Sequence, residues 1–451
     1  MLSPVRATQR ADARAAAPRR LDHNGQAAGR ADRSSRDRLA EAVGLARAIG
    51  LDVCTADTVP LVRPRPATLL GSGKVEEIAQ RVQETGAGLV IIDHAVSPIQ
   101  QRNLEKAWGS KVLDRTGLIL EIFGERALTR EGRLQVELAH LTYQRGRLVR
   151  SWTHLERQRG GFGFLGGPGE AQIETDRRLI QERIDAIKKD LGGVIRTRGL
   201  HRASRKKIPL PVAAIVGYTN AGKSTLFNRL TGASVLAIDQ VFATLDPTMR
   251  EISLPSGRRT VLSDTVGFIS DLPTNLIAAF RATLEEVVSA DLILHVRDVS
   301  HPESEAQYHD VVGVLADLGI DADAEAAPIL EVWNKADKLA ASTRAEVLSA
   351  LARRNRRAVL LSALTGEGIE TLHAALDAEF GRHDEVLDLE IPAGEGRLLS
   401  WLHANTEVLD QKTEGSGAVL ARVRIEPAAK GKLAGQLKRA GLPLFGLEER
   451  K

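Results

Sequence analysis

Cysteine is almost absent from this 451-residue chain: Cys54 stands alone, so no internal disulfide can form. With no His or Cys cluster around it, neither a thiolate metal site nor a redox pair is expected. Long apolar runs are missing as well. None approaches the roughly 20 residues that a helix needs to cross a bilayer, which argues against a membrane protein; with the lone thiol, a reducing cytoplasm is the expected setting. Net charge is also scarce, +4 from 62 basic and 58 acidic residues. What is present, 43% hydrophobic and 27% charged residues, is the composition of a folded protein, and the length predicts about three domains, not one small binding module.

The small net charge hides an uneven distribution. Residues 1–38 hold nine arginines against four aspartates, and residues 126–207 hold nineteen Lys and Arg against nine Asp and Glu, leaving about −11 for the remainder. Such asymmetry points to a polyanionic partner met by one part of the molecule; the alternative is a solvated basic face.

Residues 1–38 are Ala, Arg and Asp with almost no large apolar residue, so a disordered basic tail is expected there. Residues 39–125 alternate helical stretches with the short apolar runs LVII (89–92) and KVLD (111–114), the pattern of a small α/β domain. GSGK at 71–74 lacks the full spacing of a phosphate loop and is read as the turn that opens a helix. In 126–207, a 4,3 spacing recurs through Leu134, Leu138, Leu141, Arg145, Leu148, Trp152 and Leu155, and again through Ile173, Arg177, Ile180, Ile184, Ile187 and Leu191. Between them lies RGGFGFLGGPGE (159–170), which no helix could traverse. The expectation is an antiparallel helical hairpin with a glycine-rich tip, whose two seam arginines reach the edge, pair with acids or bind something. Residues 208–383 alternate strands and helices as in a doubly wound sheet, and 384–451 read as a small α+β module.

GYTNAGKST at 217–225 matches GxxxxGK[ST] between an apolar strand and an amphipathic helix, the context that a phosphate loop requires. Gly217, Tyr218, Thr219, Asn220, Ala221, Gly222, Lys223, Ser224 and Thr225 would wrap the phosphates, with Lys223 on the β- and γ-oxygens and the Ser224 hydroxyl on Mg²⁺. Further elements follow in order. DTVG supplies Asp264, Thr265, Val266 and Gly267, with Asp264 toward the Mg²⁺ shell and the Gly267 N–H toward the γ-phosphate. NKAD supplies Asn334, Lys335, Ala336 and Asp337, whose carboxylate can accept both N–H donors of a guanine edge; adenine offers no such pair. SAL supplies Ser362, Ala363 and Leu364 for a backbone contact to guanine O6. In the segment Phe242, Ala243, Thr244, Leu245, Asp246, Thr244 is preferred over Thr248 as the Mg²⁺-binding switch threonine, because Thr248 borders a predicted strand. Metal ligands are thus expected at Ser224, Thr244 and Asp264, and catalytic roles at Lys223, Thr244 and Gly267. Phe268 stands where a water-orienting glutamine is found in small GTPases. A phenyl ring cannot do that work, so hydrolysis should depend on a partner; Asp246 and Thr265 are nearby polar candidates. These elements predict an α/β protein built around a P-loop GTPase domain, and they resemble the translation-factor-related class. Asn220 resembles the asparagine with which some of that class bind K⁺.

ATLLGSGKVEEI (67–78), VLDRTGLILEIF (112–123), EGRLQVELAHLTYQRGRLV (131–149), WTHLERQ (152–158) and GPGEAQIETDRRLI (167–180), with VFATLDPTMR and DTVGFISDLPTNLIAAFRATLEE, resemble the HflX family of ribosome-associated GTPases from about residue 45 onward. The resemblance implies a Mg²⁺-dependent GTPase, monomeric away from the ribosome, that binds the large ribosomal subunit and directs the α/β domain and hairpin to its RNA; some members split stalled ribosomes. Arg145, Arg147, Arg150, Arg157, Arg159, Arg177 and Arg178 are the first expected RNA contacts. The tip departs from the usual pattern through Phe162, Phe164, Leu165 and Ala171, and its aromatics either stack on bases or fold over the hairpin. Rivals are an assembly GTPase and an RNA-binding nucleotide switch with little turnover.

Overall fold

The computed structural model describes residues 2–5, 34–158, 168–205, 210–232, 242, 248–270, 281–322, 324, 327–353, 357–382, 384–425 and 427–443. The N-terminal part is a parallel sheet of β1 (Leu2–Val5), β2 (Asp57–Pro60), β3 (Leu89–Ile92) and β4 (Lys111–Asp114) in the order β2-β1-β3-β4. Around it lie α1 (Ser35–Ala48), α2 (Ser72–Thr85), α3 (Pro98–Trp108) and α4 (Arg115–Arg126). GSGK opens α2, with Gly71 at the N-cap and Lys74 on Glu77 at 2.7 Å.

β1 corrects the expectation of a disordered tail over 1–38. Its four residues pair in register with all of β2. A composition average over 38 residues cannot register a four-residue strand held by main-chain bonds inside a sheet. Pro4 is tolerated because β1 meets β3 only at Leu2 opposite Ile92, which places the proline past the end of that neighbour. Residues 6–33 lie outside the described residues, and α1 already starts at Ser35, capped by the Ser34 hydroxyl at 3.1 Å from the Asp37 N–H.

The long helices α5 (Arg130–Gln158) and α6 (Pro168–Arg205) return along one another, Glu137 meeting Arg183 at 2.7 Å and Arg145 donating to the Gln181 side chain. Residues 159–167 of the glycine-rich tip lie outside the described residues. α6 buries Ile184, Ile187 and Leu191 as its spacing predicts, but on α5 Leu134, Leu138 and Leu141 are half-buried. The reason is a second packed face. Val136 and Ala139 of α5 sink into a core with Leu118, Ile119, Ile122 and Phe123 of α4.

The next sheet has the order β10-β9-β8-β5-β7-β6, formed by β5 (Val212–Gly217), β6 (Thr248–Ser253), β7 (Arg259–Asp264), β8 (Leu292–Asp298), β9 (Ile329–Asn334) and β10 (Ala358–Leu360). All its pairs are parallel except the edge strand β6 on β7. Described helices here are α7 (Lys223–Thr231), α8 (Arg281–Val288), α9 (Ser304–Asp317), α10 (Ala341–Arg353) and α11 (Ile369–Phe380). Near-continuous apolar strands are what burial on both faces demands. The C-terminal sheet, β11 (Glu385–Ile391), β12 (Glu407–Thr413) and β13 (Val419–Ile425), is antiparallel in the order β11-β13-β12 and packs with α12 (Gly396–Asn405) and α13 (Pro427–Arg439) over its own core. β12 was not expected from its sequence, EVLDQKT, because its side chains are mostly exposed and carry no apolar alternation. Among the described residues no helix is long and apolar enough to cross a membrane.

One apolar core joins the N-terminal part to the second sheet. Phe123 of α4 meets Phe242 edge-on at 4.6 Å between ring centroids, and Phe268, Val266 and Ile269 belong to the same buried cluster.

β8 is buried along its whole length and still carries His295 and Arg297. Arg297 is paired with Glu331 at 3.0 Å and Glu305 at 2.6 Å and lies over the Tyr308 ring, while His295 stacks on Tyr308. Burial, assisted by the charges of Arg297 and Lys223, pushes the His295 pKa down to about 3. Between that value and the ordinary one near 6.5, the unfolded chain binds a proton that the folded chain refuses, so stability falls as pH drops through this window. The wild type should therefore lose stability on acidification more steeply than His295→Leu, by up to about 1.4 kcal/mol per pH unit below about 6.5. Urea unfolding of both proteins from pH 7 to pH 5 checks this; parallel pH profiles would refute it.

Candidate nucleotide site

Four loops meet at the C-terminal ends of β5, β7, β9 and β10, the edge at which parallel sheets of this class bind ligands. The first runs from Gly217 into α7. Gly222 there has φ +92°, and a Cβ on it would stand 2.2 Å from the Asn334 amide nitrogen, so only glycine fits. Asn220, Phe242 and Lys335 also hold positive φ, three of the four non-glycine residues that do so among the described residues. Backbone strain of this kind persists where surrounding structure fixes it, and it gathers at functional loops.

Lys223 is buried and donates to the Tyr218 carbonyl at 2.7 Å. Burial lowers its pKa to about 8, with Lys335 acting in the same direction and Asp264 opposing both. The Ser224 hydroxyl donates to Asp264 Oδ2 at 2.9 Å at the end of β7. Gly267 lies so close that a Cβ on it would be 2.9 Å from Lys223 Nζ and 3.1 Å from the Thr219 methyl. Thr225, the third residue of α7, is half-buried, and Val266 is in the shared core.

Asn334 ties two further loops to the first. Its amide donates to the Ala221 carbonyl at 2.8 Å and its oxygen accepts from the Ala363 N–H at 2.9 Å. The Ala336 N–H bonds the Leu361 carbonyl at 3.1 Å, Lys335 pairs with Asp298 at 2.8 Å, and the exposed Asp337 accepts from the Ser362 hydroxyl at 2.5 Å. Arg229 of α7 donates to the carbonyls of Ala363 and Leu364, and the Leu364 side chain is exposed.

Phe268 is 1% exposed, so its ring is a core residue and faces no water. Its backbone fastens the loop after β7 to the first, the Phe268 N–H donating to the Gly217 carbonyl at 3.0 Å and its carbonyl accepting from the Thr219 N–H at 2.7 Å. Thr265, one of the polar candidates for orienting water, is occupied elsewhere: its hydroxyl donates to the Ile215 carbonyl at 2.6 Å. Ala243, Thr244, Leu245 and Asp246 lie outside the described residues.

The expected RNA contacts divide. Arg147 turns inward, to Asp114 at 3.1 Å, the Val96 carbonyl at 3.2 Å and the Gln101 and Tyr143 side chains, so it is removed from the set of exposed phosphate contacts. The basic charge of the segment gave no sign of this, because the partners Asp114 and Gln101 lie 33 and 46 residues away in sequence. Arg145 is half-buried against Gln181. Arg177 and Arg178 are exposed, with Glu174 at 3.9 Å and Glu182 at 3.8 Å. The side chains of Arg150 and Arg157, and all of Arg159, lie outside the described residues. Sequence reasoning missed Asp298, which holds Lys335, and the group formed by buried Asp93 and Arg115 with half-buried Glu41 and Ser270. Only the DR of VLDRTGLILEIF signalled the latter.

Three family models match consecutive stretches between residues 36 and 335: "GTP-binding GTPase N-terminal" over residues 36–124, "GTP-binding GTPase Middle Region" over 126–205 and "50S ribosome-binding GTPase" over 212–335. GTPase HflX of Magnetococcus marinus is 52% identical over 404 residues, 90% of this chain and 91% of its own length. The chain belongs to the HflX family of GTPases. GTPase HflX of Escherichia coli is 46% identical over 387 residues, covering 86% of this chain and 89% of that one. Among solved structures, SsGBP in complex with GDP is 25% identical, covers 76% of this chain and 95% of that one, and superposes with a TM-score of 0.45. As an HflX-family protein the chain binds and hydrolyses GTP with Mg²⁺.

In this HflX-family site, Asn334 holds three loops with two side-chain hydrogen bonds, each worth about 1 kcal/mol. Asn334→Ala should therefore weaken GDP binding by roughly 2 kcal/mol, some thirtyfold, as read by titration with a fluorescent GDP. Unchanged affinity would show that the loops hold their places without it.

Proposed function

We propose that this GTPase works on the large ribosomal subunit, and that its helical hairpin is the element that reaches ribosomal RNA. The observation that carries this reading is the join between arm and site: α5, the first helix of the basic hairpin, is buried in the same apolar core as Phe242 and Phe268, which flank the nucleotide loops. A phosphate-binding arm so connected can pass a change at RNA to the site, and exposed Arg177 and Arg178 are suited to phosphate contacts that release counterions. The family model named for 50S ribosome binding supports the same partner. Of the activities open to such a protein, splitting or rescue of stalled ribosomes in the cytoplasm is the one adopted, and assembly of subunits is the alternative.

Within the site, Gly217 to Thr225 wrap the phosphates and Lys223 neutralises the β- and γ-oxygens. Asp337 accepts the two guanine N–H donors, Asn334 and Lys335 hold its loop, and the Ser362–Leu364 backbone meets guanine O6. The Ser224 hydroxyl and Asp264 carboxylate, 2.9 Å apart, are hard oxygen donors that fit Mg²⁺, with Thr244 as the switch ligand. When bound, the ion supplies positive charge to the phosphate oxygens. Gly267 presents its N–H to the γ-phosphate. With Phe268 buried, the group that orients the attacking water comes from the partner, so turnover is slow until binding. Asn220, held at φ +60°, is the residue through which K⁺ would act.

Large subunits should raise the GTPase rate at least tenfold, with Lys223→Ala inactive throughout, and Arg177→Glu with Arg178→Glu should lower the stimulation while GTP affinity stays within about twofold. No stimulation removes the partner assignment, and conversion of intact ribosomes to subunits in sedimentation separates splitting from assembly. Asp337→Asn exchanges an acceptor for a donor, so it should cost guanine nucleotides roughly a hundredfold in affinity and favour xanthine nucleotides. Retained guanine preference in competition binding would place base recognition elsewhere.

A further inference from the structure

Two consecutive residues at the junction of β4 and α4 face opposite ways. Asp114 caps α4 through the Gly117 N–H at 2.8 Å and also accepts from the Tyr143 hydroxyl at 2.6 Å and from Arg147 at 3.1 Å, both on the hairpin helix α5. Arg115 is 7% exposed and points to the nucleotide domain. Its guanidinium meets Asp93 at 2.5 Å and Glu41 at 2.5 Å, and donates to the Ser270 carbonyl at 2.9 Å and hydroxyl at 3.0 Å. The phosphate-loop residue Tyr218 completes the group: its hydroxyl donates to the second Glu41 oxygen and accepts from the Ser270 N–H at 2.9 Å.

Ser270 is thereby held at its N–H, its carbonyl and its hydroxyl, the last of which also bonds Glu41 at 3.0 Å. Two residues upstream, the Phe268 backbone is fastened to Gly217 and Thr219. Gly267, whose N–H faces the γ-phosphate in the proposed site, thus lies next to a segment with two fixed points and rests against Lys223. Hydrogen bonds and buried ion pairs are short-ranged and directional, so a shift of the hairpin against Asp114 is resisted or breaks bonds as a set; it is not absorbed by gradual deformation.

We infer that Asp114 and Arg115 form a relay between the helical hairpin and the nucleotide site, and that the Tyr218 hydroxyl is a positioning group that sets Gly267 against Lys223 for hydrolysis. The inference uses the GTPase activity and stands whether or not the arm's partner is the ribosome. Arg147 and Tyr143 touch no residue of the phosphate loop in this network, yet through Asp114 they act on it.

The test compares Tyr218→Phe, Arg147→Met and the double variant in the full chain, measuring steady-state GTP hydrolysis without partner, release of a fluorescent GDP, and thermal melting. Tyr218→Phe should lower kcat by about tenfold with KM for GTP within about twofold. Arg147→Met should lower kcat by about threefold or more, again with little change in KM, and the double variant should be no slower than Tyr218→Phe alone, because both changes cut one path. A wild-type kcat for Arg147→Met, or two independent effects that multiply in the double variant, overturns the relay, as does a fall in melting temperature with kinetics untouched. Where Arg147→Met does not fold, Tyr143→Phe removes the hydroxyl that donates to Asp114 and accepts from Arg147, and carries the same expectation. Loss of ribosome stimulation with these kinetic effects intact would count against the partner and leave the relay standing.

Discussion

The rings of Phe123, Phe242 and Phe268 are buried in a single apolar core, and most of what is distinctive in this molecule follows from that contact. Each ring removed from water contributes about 1.5–3 kcal/mol, without directional demands. Burial of this kind keeps the N-terminal α/β part, the foot of the hairpin and the flanks of both nucleotide loops in one packed unit. Phe268 stands where a glutamine would serve hydrolysis directly, so the core gains an anchor at the expense of intrinsic chemistry. Under the proposed function, dependence on a partner is then a consequence of packing.

On that apolar base, polar ties set the positions that chemistry needs. Asn334 joins the phosphate loop to the loop after β10, and Lys335 is drawn back onto Asp298. Ser224 and Asp264 are already in contact, and Lys223 is held by the Tyr218 carbonyl. These are short contacts among buried groups, where a misplaced donor costs more than a good one contributes. The site is therefore organised before nucleotide arrives, and binding energy is not consumed in assembling it.

Arg115 shows how the two kinds of force cooperate. Burial alone disfavours its charge, but Asp93 and Glu41 more than offset this and raise its pKa further above the ordinary value. Removing one partner of such a cluster leaves an uncompensated charge, so the group holds a single arrangement. Apolar contact brings the domains together, and the ion cluster selects their register.

Much of the site was legible because its chemistry is local in sequence. The spacing of Gly217, Gly222, Lys223 and Ser224 is a property of one turn, and NKAD announces a base-binding loop within four residues. Likewise LVII was readable as a strand, since burial on both faces leaves a continuous apolar run, and KVLD through its apolar pair Val112 and Leu113. What sequence alone determined was therefore most of the order of elements, the candidate nucleotide loops and the charge of the hairpin. β1 escaped because its pairing is long-range, and β12 because its exposed side chains carry no pattern. Only the tertiary structure decided which arginines face solvent: Arg147 and Arg177 have the same side chain on similar helices, but one meets Asp114 and the other is open. It alone joined Glu41, Asp93, Arg115, Tyr218 and Ser270, residues up to 229 positions apart, because hydrogen bonds and ion pairs act over a few ångströms of space and leave no periodic trace along the chain.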